Sequence, residues 1–442
     1  MQLKSMKNKP QTKTTSVREQ LALASCALLQ TASTSAQAAD EWEIDSALMI
    51  YSESDSRVTA IEPIVTARKE VEEDKFFNLK LVLDSLTGAT PNGAHASSTV
   101  QTFTKPSGTG GYTVAAGENP LDDTFHDTRV ALSADWERPV LDNNSRIIIG
   151  GNLSKEFDYM SLGASATFMR DYNDRNTTLT TALGVNADTI SPVGNVPAPF
   201  ANMMVAGSGT NRDGSSDNKT ITDFMIGVTQ VIDRKTLMQF NLSLSSASGY
   251  MNDPYKVITV VDAAGDRTAI LGAGDLPYVY ESRPDSRSRQ VFYWKTVHHL
   301  TEDVINVSYR YHTDDWDIIS HTVDLNYRYE LTGGSYLQPH IRYYTQSAAE
   351  FFTHNLLDTQ VGVAQYASSD YRLGELNTTT IGLKYAMPMK NNQEFSMRVE
   401  SIVQSYSTVS SAIGTLNGDA GSQDIVPDLG AFVIQVGYSF YW

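Results

Sequence analysis

His312, Asp314, Asp315, Asp317 and His321 crowd into one short stretch, and their side chains are the types that bind metal. Imidazole nitrogens and carboxylate oxygens suit a divalent ion when three or four of them converge. Asp at this density also does ordinary turn work, because its carboxylate accepts from nearby backbone N–H groups. Ser320-His321 and His298-His299 invite a hydrolase reading, but a nucleophile and its base need a third, orienting group, and the sequence places none beside them. Arg283, Arg287 and Arg289 in RPDSRSR form a basic patch in an acidic chain. It would suit a lipid phosphate, an anionic ligand or an acidic neighbour within the fold. Asn252-Asp253-Pro254 and Pro91-Asn92-Gly93 are first of all turns. The Gly-bearing stretches contain no phosphate-binding pattern at a strand-to-helix junction. No enzyme, cofactor or metal site is expected from these residues.

The elements that would position such groups are strands. The chain ends in VIQVGYSFYW, where Phe432, Ile434, Val436, Tyr438, Phe440 and Trp442 occupy every second position. That period gives one wholly apolar face, while Ala431, Val433, Gln435, Gly437, Ser439 and Tyr441 make a smaller, more polar one. The pattern recurs in about sixteen segments of roughly ten residues, the signature of a transmembrane barrel. Two segments, near 57 to 69 and 376 to 388, alternate poorly. Short links (VEED, LDNNS, RDYNDRN, IDRKT, LTEDV, LTGGS, KNNQ) alternate with outer connections. Most of the latter are long, near 88 to 124, 187 to 218, 249 to 288, 348 to 374 and 408 to 428; those at ESDSR, KEFDYM and HTDDWD are shorter. The expected fold is an all-β, antiparallel transmembrane barrel of about 16 strands, with short periplasmic turns, long extracellular loops and both termini in the periplasm. A soluble multi-sheet protein would have no reason to gather Trp42, Tyr51, Trp136, Tyr159, Tyr336 and Trp442 near strand ends, where amphipathic rings favour a membrane boundary. Helical spans are excluded, since no run approaches the ~20 apolar residues required.

Composition and address agree with this fold. Apolar residues are 41% and charged residues 19%. Lys4, Lys7, Lys9, Lys13 and Arg18 precede LALASCALL and then Ala36-Gln37-Ala38, so residues 1–38 read as a secretory signal peptide and 39–442 as the barrel. The rival lipoprotein box around Cys26 has too short an apolar lead. Cleavage after Ala38 would deepen the net charge from −17 to −21 and remove the single Cys. Nucleic acid is then an unsuitable partner, and neither disulfides nor thiolate metal sites are available. Gln435, Gly437, Phe440 and Trp442 resemble the C-terminal signal by which barrel-assembly machinery recognises outer-membrane barrels for insertion. The expected location is the outer membrane of a Gram-negative bacterium, with membrane lipid as the surrounding partner.

The stretches LDSLTGATPNGA, GVTQV, GYMNDPYK, ESRPDSRSR, YRYHTDDWDIISHT and PHIRYYTQSAAEFF resemble an uncharacterised family of bacterial outer-membrane β-barrels, known only as a domain of unknown function. The likeness runs over nearly all of the chain beyond the signal. Members are often encoded beside a flavin transferase, a small lipoprotein and a thioredoxin-like protein. The resemblance therefore implies a periplasmic redox protein or lipoprotein as partner, and a role in extracytoplasmic redox chemistry.

If the apolar faces meet lipid, the opposite positions line the interior. Candidates are Arg310, Asp324, Arg328, Glu330, His340, Arg342, Arg398 and Glu400, while early strands contribute Glu43, Asp45, Lys80, Asp84, Arg129, Asp135 and Glu137. Acids lead in the first strands and arginines in the later ones. Across a narrow lumen this would set up a transverse field that selects polar solutes; alternatively, neighbouring charges pair and brace the wall. The leading expectation is a porin-like conduit for small polar solutes. The alternative is a barrel that sheathes or docks a redox partner for electron transfer across the outer membrane.

Overall fold

Strict alternation of outward apolar and inward small or polar residues yields sixteen long strands. The computed structural model describes residues 41–54, 57–97, 99–104, 111–118, 120–121, 125–204, 211–268, 276–406 and 428–442; the expected signal peptide lies outside them. The strands are β1 (Glu43–Glu53), β2 (Thr59–Glu72), β3 (Lys75–Gly88), β4 (Phe125–Val140), β5 (Asp142–Lys155), β6 (Tyr159–Tyr172), β7 (Thr177–Ile190) and β8 (Asp217–Val231). They continue as β9 (Thr236–Gly249), β10 (Ser286–His299), β11 (Val304–Asp314), β12 (Ile319–Glu330), β13 (Tyr336–Gln346), β14 (Leu376–Pro388), β15 (Glu394–Tyr406) and β16 (Leu429–Tyr441). Each pairs antiparallel with its neighbour in sequence, and β16 returns to β1, closing a barrel. The seam runs from Glu43 opposite Tyr441 to Glu53 opposite Ala431. Trp42 and Trp442 finish it with reciprocal backbone hydrogen bonds of 2.7 and 2.9 Å.

Closure leaves no unpaired strand edge, which is what hydrocarbon demands of a polypeptide. Outward residues such as Ile149, Leu162, Ile381 and Phe432 are 52, 59, 61 and 63% exposed. An apolar belt around the whole circumference would be untenable against water and is satisfied by acyl chains. The strands therefore span a membrane.

At one rim the links are tight. Leu141 alone, at φ 65, separates β4 from β5, and Asn173, Asp174 and Arg175 turn in succession with positive φ. The two poorly alternating segments are strands after all. In β2, Pro63 has no N–H, and the β2–β3 ladder skips from Ile61–Ser85 to Ile64–Val82 around it. Ile64 then points inward and is buried, which blurs the alternation.

Strand-end aromatics divide by face. Trp42, Phe77 and Trp136 form a chain of rings, each 6.3 Å from the next, beside Lys69, as a boundary girdle should. Tyr51, Tyr159 and Tyr336, expected in the same girdle, point inward instead. Tyr51 donates to Glu53, Tyr159 to Asp188, and Tyr336 accepts from Lys384. Position along a strand sets the height of a ring, whereas its parity sets the face.

Candidate functional site

At the other rim the long connections fold onto one another as a cap. Val257–Val261 pairs antiparallel with Tyr278–Tyr280 and parallel with Asn355–Leu357. All five residues of the central segment are buried. Gln101–Thr104 and Gly111–Val114 add a hairpin whose Phe103 and Tyr112 pack with Tyr278, Val257 and Met203. Pro91-Asn92-Gly93 fits into this assembly rather than serving only as a turn. Asn92 accepts from the Val257 N–H at 3.0 Å. Gly93 has φ +93, and a Cβ there would lie 2.6 Å from the Val257 carbonyl oxygen. Only glycine meets both conditions.

Acids and bases from separate connections meet beneath the cap surface. Arg283 pairs with Glu281 at 2.7 Å and Asp370 at 2.8 Å. Arg372 reaches in from the surface to Asp370 (2.6 Å) and Asp253 (2.7 Å). The Asn252 side chain accepts from the Arg283 N–H at 2.7 Å. Lys256 donates to the Pro91 carbonyl and lies 5.2 Å from the Tyr371 ring centre. Burial would raise the Asp370 carboxyl, but Arg372, Lys256 and Arg283 together hold it well below the usual range. Burial also draws the Lys256 ammonium down and pushes the Glu281 carboxyl up. The basic patch thus meets acidic neighbours of its own chain. Sequence reasoning missed Asp370, Arg372 and Ser368, whose hydroxyl donates to Glu281; the close spacing of Asp370 and Arg372 was their only local signal.

The cap is tied to inward-facing side chains at the rim. Gln346 on β13 donates to the Gly374 carbonyl at 2.7 Å, and Tyr371 meets Tyr406 of β15 edge-on at 5.8 Å. Tyr255 donates to Asp158, between β5 and β6, at 2.6 Å. Asp158, Asp127 and Glu156 lie close enough for their carboxylate oxygens to be within 4.8 Å of one another. Burial, then the Asp127 charge, pushes Glu156 up to about 7.

The metal-like stretch around 312 to 321 does not converge. Asp314 takes both the Trp316 and Ile318 N–H groups on one oxygen, at 3.1 and 3.0 Å, and holds Arg287 with the other. Asp315 accepts from the Ser288 N–H at 2.9 Å. His321 faces outward, accepting or donating at 2.8 Å to Tyr309. The aspartates do turn work, and strand parity parts the histidines. The same parity defeats the hydrolase reading: Ser320 is buried, whereas its neighbour His321 is exposed on the opposite face. His298 contacts Thr236 and His299 contacts the Leu300 carbonyl.

On the inner wall, charge is arranged in lateral pairs. Arg129 pairs with Asp84, while Arg68 and Arg146 approach Glu137 at 3.6 and 3.8 Å. Asp84 and Glu137 thus have basic neighbours on adjacent strands, which reduces the segregation expected from sequence, while Asp135 accepts from Asn78 at 2.8 Å. Among the later candidates, Arg328 pairs with Glu330 and lies 3.8 Å over the Tyr336 ring. His340 contacts Asp324 with Nε2 and Glu400 with Nδ1, both at 2.9 Å, and Arg398 stands 3.6 Å from Glu400. Arg310, opposite Tyr293 and Thr322, is exposed. Arg342 lies opposite Asp324 in register and is exposed, with no ion pair among the described residues. Gln435 and Gly437 share the inward parity on β16, Phe440 takes the outward one, and Trp442 is 78% exposed just beyond the strand.

Comparison with solved structures finds other barrels. A bacterial polysaccharide outer membrane secretin matches 91% of this chain and 98% of its own, at 7% identity and TM-score 0.41. The siderophore receptor PirA from Acinetobacter baumannii matches 84% of this chain at 8% identity and TM-score 0.41, with only 53% of the receptor covered. OccK3 (OpdO) from Pseudomonas aeruginosa matches 91% of this chain and 96% of its own, at 10% identity and TM-score 0.35. A search of curated proteins gives no match. A family model does match, over residues 18–440, and the chain accordingly belongs to the family described as Protein of unknown function (DUF3570).

Proposed function

We propose that this protein is a non-enzymatic barrel of a Gram-negative outer membrane that conducts small polar solutes, with entry controlled by the cap. One observation carries the reading: a closed sixteen-strand wall is apolar outside, while its inward positions bear Arg310, Asp324, Arg328, His340, Arg342 and Arg398. A wall of this many strands is wide enough for an aqueous path. Exposed Arg342 is the cation best placed to meet a passing anion. In this reading residues 1–38 direct export, Gln435, Gly437, Phe440 and Trp442 present the chain to the assembly machinery, and the cap faces outward. The folded barrel in planar bilayers should give ohmic steps, and Arg342→Ala should shift ion selectivity towards cations. Persistent silence of the purified barrel would overturn the conduit. Unchanged selectivity would assign Arg342 no part in it.

A further inference from the structure

We infer that Asp324, His340 and Glu400 form a proton-binding site that sets the charge of the inner wall. Its effect on solutes rests on the conduit reading, but the site itself does not.

The argument is one of hydrogens. Both ring nitrogens of His340 lie 2.9 Å from a carboxylate oxygen, Nε2 from Asp324 and Nδ1 from Glu400. A neutral imidazole has one N–H and one lone pair, and an ionised carboxylate only accepts. With a single hydrogen, one of the two contacts would set a nitrogen lone pair against an oxygen lone pair. Both contacts are attractive only when a second proton is held among the three groups. A carboxylic acid gives up its proton more readily than an imidazolium, with ordinary values of about 4 and about 6.5, so the ring is its natural holder.

The surroundings fix this geometry. Asn326 donates to the other Asp324 oxygen at 2.6 Å, and Gln338 holds Asn326 at 3.0 Å. Glu400 belongs to β15, two strands from His340, and reaches it across Gly382 of β14. A Cβ on Gly382 would lie 2.7 Å from Glu400 Cγ, so only glycine leaves the passage. The charged groups on the same inner face are Asp324, Arg328 and Glu330 on β12, Arg342 on the ring's own strand, Lys384 on β14, and Glu394, Arg398 and Glu400 on β15. Arg398, at 3.6 Å, is the partner to which Glu400 turns when the ring loses its second proton. The wall then gains one negative charge, and a cation is favoured over an anion along it.

Full-length barrel in detergent micelles, labelled with 15N in its histidine rings, tests this directly; His340→Gln identifies the signals among the eight histidines. At pH 7.5 both His340 nitrogens should carry hydrogen, and a bare ring nitrogen would overturn the proposal. In the double variant Asp324→Asn/Glu400→Gln the ring should instead titrate in the ordinary histidine range. Double protonation persisting at pH 7.5 in that variant would also refute the site as described. Should His340→Gln fail to fold, Asp324→Asn and Glu400→Gln supply the assignment. In bilayers, raising the pH from 6 to 9 should move the reversal potential further towards cations in the native barrel than in His340→Gln. Equal shifts in both would refute the charge-setting role. Complete silence would count against the conduit alone, with the ring spectrum still deciding the site.

Discussion

In the wall, every strand finds its partner in the next strand of the sequence, apart from the single long closure of β16 on β1. In the cap, Val257–Val261 pairs with Tyr278–Tyr280 and then with Asn355–Leu357, nearly a hundred residues later and in parallel. The wall derives its specificity from repetition, since a one-residue slip would turn every apolar side chain inward. The cap derives its specificity from a few buried charges and one glycine that must be placed correctly in three dimensions. Two regions of one chain thus place their order at different ranges, and they should fail under different insults.

The largest separation is expected from Arg283→Ala. It strands Glu281, 1% exposed, without its cation and leaves Asp370 to Arg372 alone. Breaking a buried pair in this way costs about 3–5 kcal/mol. Hydrogen exchange should accelerate in 257–261 and 355–357 while β4 to β9 keep their protection. Equal deprotection of the wall would erase the distinction.

Acid should act next, through His95. Its ring is buried, contacts the His354 carbonyl at 2.9 Å, and is pushed down to about 4 by burial. Unfolded loops take up a proton near ~6.5 and the folded cap does not until about 4, so cap stability falls as pH drops through that window. The loss amounts to about 3 kcal/mol at most, read as exchange in the same segments. His95→Gln should flatten the dependence. Asp370 has the same sign but acts lower, because its carboxyl is held well below the usual range.

The wall's counterpart is Ile434→Lys, a cation in the outward belt of β16. About 2 kcal/mol of destabilisation is expected in lipid vesicles, measured by denaturant unfolding, with the cap's acid response unchanged. The smallest effect concerns Glu156, at the junction of the two regions, whose side chain is 29% exposed, so that solvent screens much of its share. Its carboxyl is pushed up to about 7 by burial and Asp127, so stability present below ordinary carboxylate values is lost as pH rises towards 7. Glu156→Gln should abolish that slight slope in the melting temperature.

These differences explain what could be read from residues alone. The strand number, the closure of the terminal strand on the first and the rhythm of turns follow from a period of two, which most ten-residue strand windows display. Pro63 and Ile64 blurred that period locally, so β2 was faint. For the candidate site, identities were legible but partnerships were not. His340 and Glu400 stand 60 positions apart and meet only because Gly382 lies between them. Asp370 and Arg283 are 87 apart. In RPDSRSR the charges were plain, yet their acids lie in other loops. His312 and His321 looked clustered because sequence proximity ignores face. A single strand carries no record of which distant loop will cover its end.

Single-channel conductance of the native barrel against Arg283→Ala tests the central claim most directly, that a braced cap governs access to a polar bore. The account predicts small ohmic steps from the native protein and several-fold larger ones once the brace is cut. Identical conductance in both, with exchange confirming that the cap has loosened, would contradict it.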